Sequence, residues 1–292
     1  MSLFSIVIPT FNRAEIVSKT LDSVLAQSFQ NWECLVVDDF SKDDTREVIE
    51  KFCQKDSRCR YLRNERKKGA QGARNTGLKH ARFDWVLFFD SDNLMHANLL
   101  ETMADAVLQD QERYDVFTCF SNVIDCQTGE KVNSFDWLNE GDVHEKLFTR
   151  DTYVDYNGAI IRKSKLFEIG GLDEDCPSMQ EWDTHIRLSK VARYHTVPLV
   201  LVDYFVGGKD AISTDTKREV KGRFYILKKH QKEWRNYKEA HIAFVREIRS
   251  LIRKNHGFFY KAAATMKLVF CAPSVQWTML KRKIKSIVRF RS

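Results

Sequence analysis

Over its first hundred residues the chain alternates two kinds of apolar pattern. Short continuous runs at residues 4–8, 32–37, 60–62 and 85–89 have the length and the β-branched or aromatic content of buried strands. Between them, apolar residues recur at helical spacing. Ile16, Val17, Leu21, Val24 and Leu25 predict a helix over residues 15–26. A second helix is expected over 45–53 with Asp43 or Asp44 as its cap, a third over 73–81 behind the Gly-rich loop 69–72, and a fourth over 97–108. This alternation predicts an α/β fold with a mostly parallel sheet flanked by helices. Beyond Asp115 the rhythm changes. Strands are expected at 115–124, 154–161 and 197–206, a turn at 127–129, a hinge-like turn at Gly170-Gly171-Leu172-Asp173, and a helix over 184–191 opened by Glu181-Trp182-Asp183.

In parallel sheets of this type the ligand lies outside the carboxyl ends of the strands. Four polar clusters fall there in this reading: Pro9-Thr10, Asp38-Asp39, Asn64 and Asp90-Ser91-Asp92. If the strand at 85–89 continues through the last cluster, Asp90 and Asp92 share a face, and two carboxylates in one small space repel unless a cation joins them. A hard divalent cation with phosphate oxygens as its other ligands meets that need. The competing reading makes Asp92 or Asn93 the cap of a helix beginning near Met95, and Asp38-Asp39 an ordinary turn. His144, His185 and His195 each stand alone in the sequence. None is placed in a metal shell, although His185 lies four residues after Glu181 and shares its helical face if that turn is helical.

Composition narrows the class. The chain has 292 residues, 43% hydrophobic and 30% charged, which suits one sizeable α/β body with an appendage and excludes a disordered polymer. The net charge of +7 is divided unevenly: from Lys217 to Ser292 there are 21 Lys and Arg against 4 Asp and Glu, leaving 26 against 36 before them. An acidic body therefore carries a basic tail suited to an anionic surface. The seven cysteines show no Cys-x-x-Cys pairs, which argues against zinc and fits reduced cytosolic thiols. Residues 1–9 lack the basic region of a signal peptide, and the apolar stretch 258–280 is broken by Lys261, Lys267 and Pro273, making it a poor membrane span.

The ordered set of motifs resembles the inverting family 2 glycosyltransferases with the GT-A fold. It comprises Ser5-Ile6-Val7-Ile8-Pro9-Thr10-Phe11-Asn12-Arg13, Leu35-Val36-Val37-Asp38-Asp39-Phe40-Ser41, Gly72-Ala73-Arg74-Asn75-Thr76-Gly77, Asp90-Ser91-Asp92, Gly170-Gly171-Leu172-Asp173 and Gln180-Glu181-Trp182-Asp183. The resemblance covers about residues 3–206 and implies a nucleotide-sugar site. Asp39 would accept a hydrogen bond from the base, Pro9, Thr10 and Phe11 would pack beside it, and Asn64 and Arg74 would help to close the pocket. Asp90 would hold the ribose, with Arg13 and Ser91 nearby, and Asp92 would reach Mn2+ or Mg2+ on the diphosphate. The resemblance places the general base at Glu181, where Asp is more usual. Asp183 is the competing candidate, with a helix-capping role toward Arg187 as its alternative.

The expectation is thus a domain over 1–210, followed by a basic helical region over 211–292. The first would be a metal-dependent inverting glycosyltransferase that moves a hexosyl or N-acetylhexosaminyl group, most readily from a UDP-sugar. Its acceptor would be a saccharide or a lipid-linked glycan in cell-surface polysaccharide synthesis. A non-catalytic nucleotide-sugar-binding or membrane scaffold subunit is the rival. In the tail, Leu280, Ile284, Ile287 and Val288 against Lys281, Arg282, Lys283, Lys285 and Arg289 predict a cationic amphipathic helix at the cytosolic membrane face. Nucleic acid is not expected as a partner, since no nucleic-acid motif accompanies the basic residues and the acidic body would repel a polyanion.

Overall fold

The structure, a computed structural model, describes residues 4–110, 112–208 and 216–255, together with 264–266, 268 and 275. The chain divides into two compact units. The first comprises residues 1–144, 152–174 and 180–211, and the second residues 145–151, 175–179 and 212–292.

The first unit is built on a nine-stranded sheet. Its opening half follows the expected alternation: β1 (Phe4–Thr10), α1 (Val17–Leu25), β2 (Trp32–Asp38), α2 (Thr45–Lys55), β3 (Cys59–Arg63), α3 (Ala70–His80), β4 (Trp85–Phe88), β5 (Leu94–Met95) and α4 (Leu99–Gln109). β1, β2, β3 and β4 are parallel, in the order β3-β2-β1-β4. β1 and β2 are buried along their whole length, which is why they read as unbroken apolar runs.

The second half corrects the expectation of a mostly parallel sheet. Here β6 (Val116–Asp125) turns through a hairpin into β7 (Lys131–Phe135), and β8 (Ala159–Arg162) lies antiparallel between β4 and β6. β9 (Tyr194–Val206) runs parallel to β6 and antiparallel to β5. The sheet is therefore mixed. A parallel pair needs a crossover of a dozen or more residues, and once the regular strand-helix alternation stops after α4, hairpin and edge pairings become available. The strand expected at 154–161 begins only at Ala159, and the helix expected at 184–191 is α7 (Gln180–Leu188).

The core beneath the parallel half is formed by residues such as Phe4, Ile6, Val17, Leu21, Val36, Leu87 and Leu100. α3 departs from the amphipathic pattern, since residues 71–78 are all buried. Glycines allow this close seating. A Cβ at Gly77 would stand 2.2 Å from Val7 Cγ1, and one at Gly72 would stand 1.9 Å from the Lys67 carbonyl oxygen. Gly72 thus lies within the first turn of the helix, not in the loop expected before it.

The second unit contains most of α5 (His144–Thr149), then α8 (Thr216–Lys229), a 3-10 turn at Glu233–Arg235 and α9 (Lys238–Asn255). Its centre is aromatic. Trp234 is fully buried, stacks on Phe244 at 5.1 Å and meets Phe148 edge-on at 4.8 Å. Arg223 joins Glu219 at 2.8 Å and Glu247 at 2.7 Å. No described helix is long and apolar enough to cross a membrane. The amphipathic helix expected over 277–290, the stretch 258–280 as a whole and Cys271 lie outside the described residues. Cys34, Cys53, Cys59, Cys119 and Cys126 are free thiols.

Candidate functional site

Because β1 to β4 run parallel, their carboxyl ends share one edge, and the polar residues after them converge there. Asp39 follows β2 directly, its N–H donating to the Thr10 carbonyl at 2.8 Å. Its carboxylate accepts from Asn64 Nδ2 at 2.6 Å and from the Gly69 N–H at 2.8 Å. Asn64 Oδ1 in turn accepts from Thr76 Oγ1 at 2.9 Å. Asp38 faces elsewhere, accepting from the Ser41 N–H and from the Tyr61 hydroxyl. Pro9 and Thr10 are buried beside Asp39, and Thr10 Oγ1 has no hydrogen-bond partner among the described residues. Phe11 is 41% exposed at the rim, with the Lys68 ammonium 4.5 Å from its ring centre.

α3 links this cluster to the acidic pair. Arg74, buried one turn beyond the Asp39 contacts, donates to Asp90 Oδ1 at 2.5 Å and to Gln71 Oε1 at 2.9 Å, and its guanidinium sits 4.7 Å from the Tyr156 ring centre. Arg13 approaches Asp92 at 3.6 Å. The expectation that strand alternation aligns Asp90 with Asp92 is corrected: β4 ends at Phe88, and the pair lies in the turn that follows. Each carboxylate instead has its own arginine. Ser91 is buried between them. The capping alternative also fails, because β5 follows Asn93 and α4 begins only at Leu99. Asn93 Oδ1 accepts from the Phe205 N–H, which anchors β9.

Sequence reading missed the third side of the site. The polar and aromatic stretch Tyr153-Val154-Asp155-Tyr156-Asn157 precedes β8, and its composition, read earlier as strand, is the signal that could have revealed it. Asn157 bridges two acids, donating from Nδ2 to Asp90 Oδ2 at 3.1 Å and to Asp155 Oδ1 at 3.3 Å. The Asp90 N–H returns a bond to Asn157 Oδ1 at 2.7 Å. The Tyr156 hydroxyl meets Thr184 Oγ1 at 2.7 Å and the Gln180 carbonyl at 3.2 Å, tying down the first turn of α7. That turn carries Glu181, whose carboxylate has no hydrogen-bond partner on any other described residue.

Asp183, two residues on, is 1% exposed and turned away. It accepts from Arg187 Nε at 2.9 Å, and Arg187 Nη1 donates to the Ile169 and Gly171 carbonyls. It thus holds Arg187, as the orienting alternative had it, but as the fourth residue of α7 it does not cap the helix. His185 is completely buried against the Tyr194 hydroxyl at 3.0 Å, and burial pushes it down to about 3. His144 bonds Ser189 and His195 bonds Glu140, both away from the acidic pair.

The acids are mutually coupled. Burial, then the charge of Asp90, push the Asp92 carboxyl up to about 6, opposed by Arg13 and Arg74. Burial, then Asp90 and Glu181, push Asp155 up to about 8. Burial also raises Glu181, with Arg74 pulling the other way. Such a cluster carries more negative charge than its two arginines balance, so the Asp92 carboxylate fits a hard divalent cation held by one protein carboxylate plus phosphate oxygens. Among the described residues, no three acidic, His or Cys side chains form a metal cage by themselves.

Comparisons with known proteins bear on this arrangement. The sequence model of the family described as Glycosyl transferase family 2 matches residues 5–168. The chain is 45% identical over 107 residues to the UDP-Glc:alpha-D-GlcNAc-diphosphoundecaprenol beta-1,3-glucosyltransferase WfgD of Escherichia coli, a match covering 37% of this chain and 42% of that protein. It therefore spans less than half the length of that relative. The crystal structure of S. aureus TarS 1–349 in complex with UDP-GlcNAc superposes with a TM-score of 0.65 at 18% identity, over 96% of this chain and 92% of that one. The mannosyltransferase PcManGT from Pyrobaculum calidifontis, in complex with GDP-Man and Mn2+, gives 0.60 at 17% identity, over 96% and 84%. At these identities the likeness to both structures is one of fold.

Proposed function

Since the chain belongs to glycosyl transferase family 2 and has its GT-A type fold, we propose that it is an inverting glycosyltransferase. It would take a hexosyl or N-acetylhexosaminyl group from a UDP-sugar and pass it to a hydroxyl of a lipid-linked saccharide in surface-polysaccharide synthesis. The nucleotide named with TarS and the diphosphoundecaprenol acceptor named for WfgD support this choice of substrates. The basic tail would hold the enzyme at the cytosolic membrane face.

Asp39 receives the base. An ionised carboxylate offers roughly four acceptor positions, of which Asn64 and Gly69 use two, leaving room for an imide N–H beside Pro9, Thr10 and Phe11. Asp90, fixed by Arg74 and Asn157, takes the ribose hydroxyls. Arg13 and Ser91 lie beside the diphosphate, and Asp92 is the residue to hold Mn2+ or Mg2+. When bound, the cation would supply Lewis-acid stabilisation of the leaving diphosphate.

The observation that carries the catalytic reading is the Glu181 carboxylate, which lies beside the acidic site on a tied-down helix turn and has no hydrogen-bond partner on any other described residue. A general base needs a free carboxylate on the acceptor side of the sugar, so that proton removal and inversion occur in one displacement. Burial raises the Glu181 carboxyl above its ordinary value, against the pull of Arg74, which makes it a stronger proton acceptor. A scaffold that only binds donor has no use for such a group. The test is Glu181→Gln. It should bind donor as wild type does and lose transfer by about 10²–10⁴-fold. Equal loss in donor affinity, or a larger rate loss in Asp183→Asn with binding intact, would remove Glu181 from this role.

A further inference from the structure

The proposed chemistry leaves one acid without a task. Asp155 is anchored at both oxygens by Asn157, through the backbone N–H at 3.0 Å and Nδ2 at 3.3 Å. It also lines a small cavity with Cys119, Phe135, Trp137, Asn139 and Tyr153. Cys119 and Ser121 of β6 and Phe135 of β7 are among its walls, so the cavity lies against the β6–β7 hairpin. Its walls are of the kind that bind sugars: aromatic surface with a few fixed polar groups. Phe135 packs against Tyr153 at 5.8 Å and against Tyr204 at 5.3 Å, and neither tyrosine hydroxyl has a hydrogen-bond partner on the described residues. Trp137, another of the walls, is 42% exposed and so offers a large apolar surface to solvent.

Resting on the glycosyltransferase reading, we infer that Asp155 positions the acceptor sugar by one of its non-reacting hydroxyls, with Trp137 as the stacking surface beneath the ring. The acceptor class is a pyranose with a hydroxyl neighbouring the one that reacts. The geometry gives Asp155 the means. Asn157 couples it rigidly to Asp90, so a sugar fixed by Asp155 is registered against the donor end of the site, and the charge of Glu181 is close enough to act on it. Held as a neutral acid by its surroundings, Asp155 donates a hydrogen bond as well as accepting one. Asparagine can still donate there; leucine cannot.

The experiment compares wild type with Asp155→Asn, Asp155→Leu and Trp137→Ala. Donor affinity is measured by calorimetry with UDP-sugar and Mn2+. Acceptor KM is measured with a panel of short-chain alkyl-diphosphate monosaccharides, GlcNAc among them. Asp155→Leu and Trp137→Ala should each raise acceptor KM about tenfold or more, with donor affinity within about twofold of wild type, since one lost substrate hydrogen bond is worth roughly that factor. Asp155→Asn should stay within about threefold of wild type. The inference is overturned if Asp155→Leu keeps the wild-type acceptor KM, if Asp155→Asn is as impaired as Asp155→Leu, or if donor affinity falls as far as acceptor affinity. A wild-type protein that binds no nucleotide sugar refutes the functional reading itself, an outcome the calorimetry alone identifies.

Discussion

Arg74 is the residue whose removal tests the site most severely. Its guanidinium is 4% exposed and serves three neighbours at once: Asp90, Gln71 and the ring of Tyr156. In Arg74→Met the volume is nearly kept, but Asp90 keeps only its Asn157 partner and the buried Gln71 oxygen loses its donor. Breaking a fully buried ion pair costs about 3–5 kcal/mol. The Asp90 side chain is 27% exposed, so the lower part of that range applies, and the methionine packing offsets the lost Gln71 bond of about 1 kcal/mol. A net loss of about 3 kcal/mol should lower the melting temperature by roughly 6–12 °C for a body of this size. The deficit should depend on pH. Arg74 holds the Asp92 and Glu181 carboxyls down, so its loss raises both further. A carboxyl raised in the folded state stabilises below its unfolded value and loses that contribution as pH rises through the folded one. The variant should therefore approach wild type in mild acid and fall away toward neutrality. Its transfer activity should also need a higher pH, because Glu181 must ionise to act as base. Melting curves from about pH 4.5 to 8 with metal-free protein test this. A shift that is small at neutral pH, or equal at every pH, would show that Arg74 does not balance the acids.

Three further outcomes follow from the same arrangement. Asp155, pushed up to about 8, contributes stability in its neutral form that is lost between its unfolded value and about pH 8, so Asp155→Asn should flatten the decline of melting temperature between pH 6 and 8.5; an unchanged slope would contradict the buried neutral acid. Gly77→Ala places a methyl 2.2 Å from Val7 Cγ1 and should cost about 1–3 kcal/mol by overpacking, read from denaturant midpoints, whereas a wild-type midpoint would mean that α3 is not seated on β1 as described. Removing residues 276–292 should weaken sedimentation with anionic vesicles in a salt-dependent way, at roughly 1 kcal/mol per lost charge, and leave transfer to a short soluble acceptor intact; equal sedimentation of both forms would refute the membrane role of the tail.

The first half of this protein was legible residue by residue because its order is local. Buried parallel strands show as unbroken apolar runs, flanking helices show as a 3.6-residue stripe, and a parallel sheet brings every strand's carboxyl end to one edge. Asp39, Asn64 and Asp90 are therefore assigned to one sheet edge by the sequence pattern itself. The closing half was not legible in this way. Whether β8 lies parallel or antiparallel between β4 and β6 depends on pairings between residues far apart in the chain, such as Trp85 with Arg162 and Val116 with Ile161, and no local pattern encodes them. α3 likewise reads as a weak helix behind a glycine loop, because its burial comes from glycines letting backbone approach backbone and not from an apolar stripe. The surroundings of each acid within the site come from the tertiary structure alone. Glu181 and Asp183 are two residues apart and chemically alike, yet the turn of α7 leaves one carboxylate without a partner on any other described residue, near Arg74 and Asp90, and pins the other to Arg187. Asp155 carries no motif. It enters the site because Asn157 ties it to Asp90, and the energy of burying a charge depends on what surrounds it in space, which the order of residues does not state.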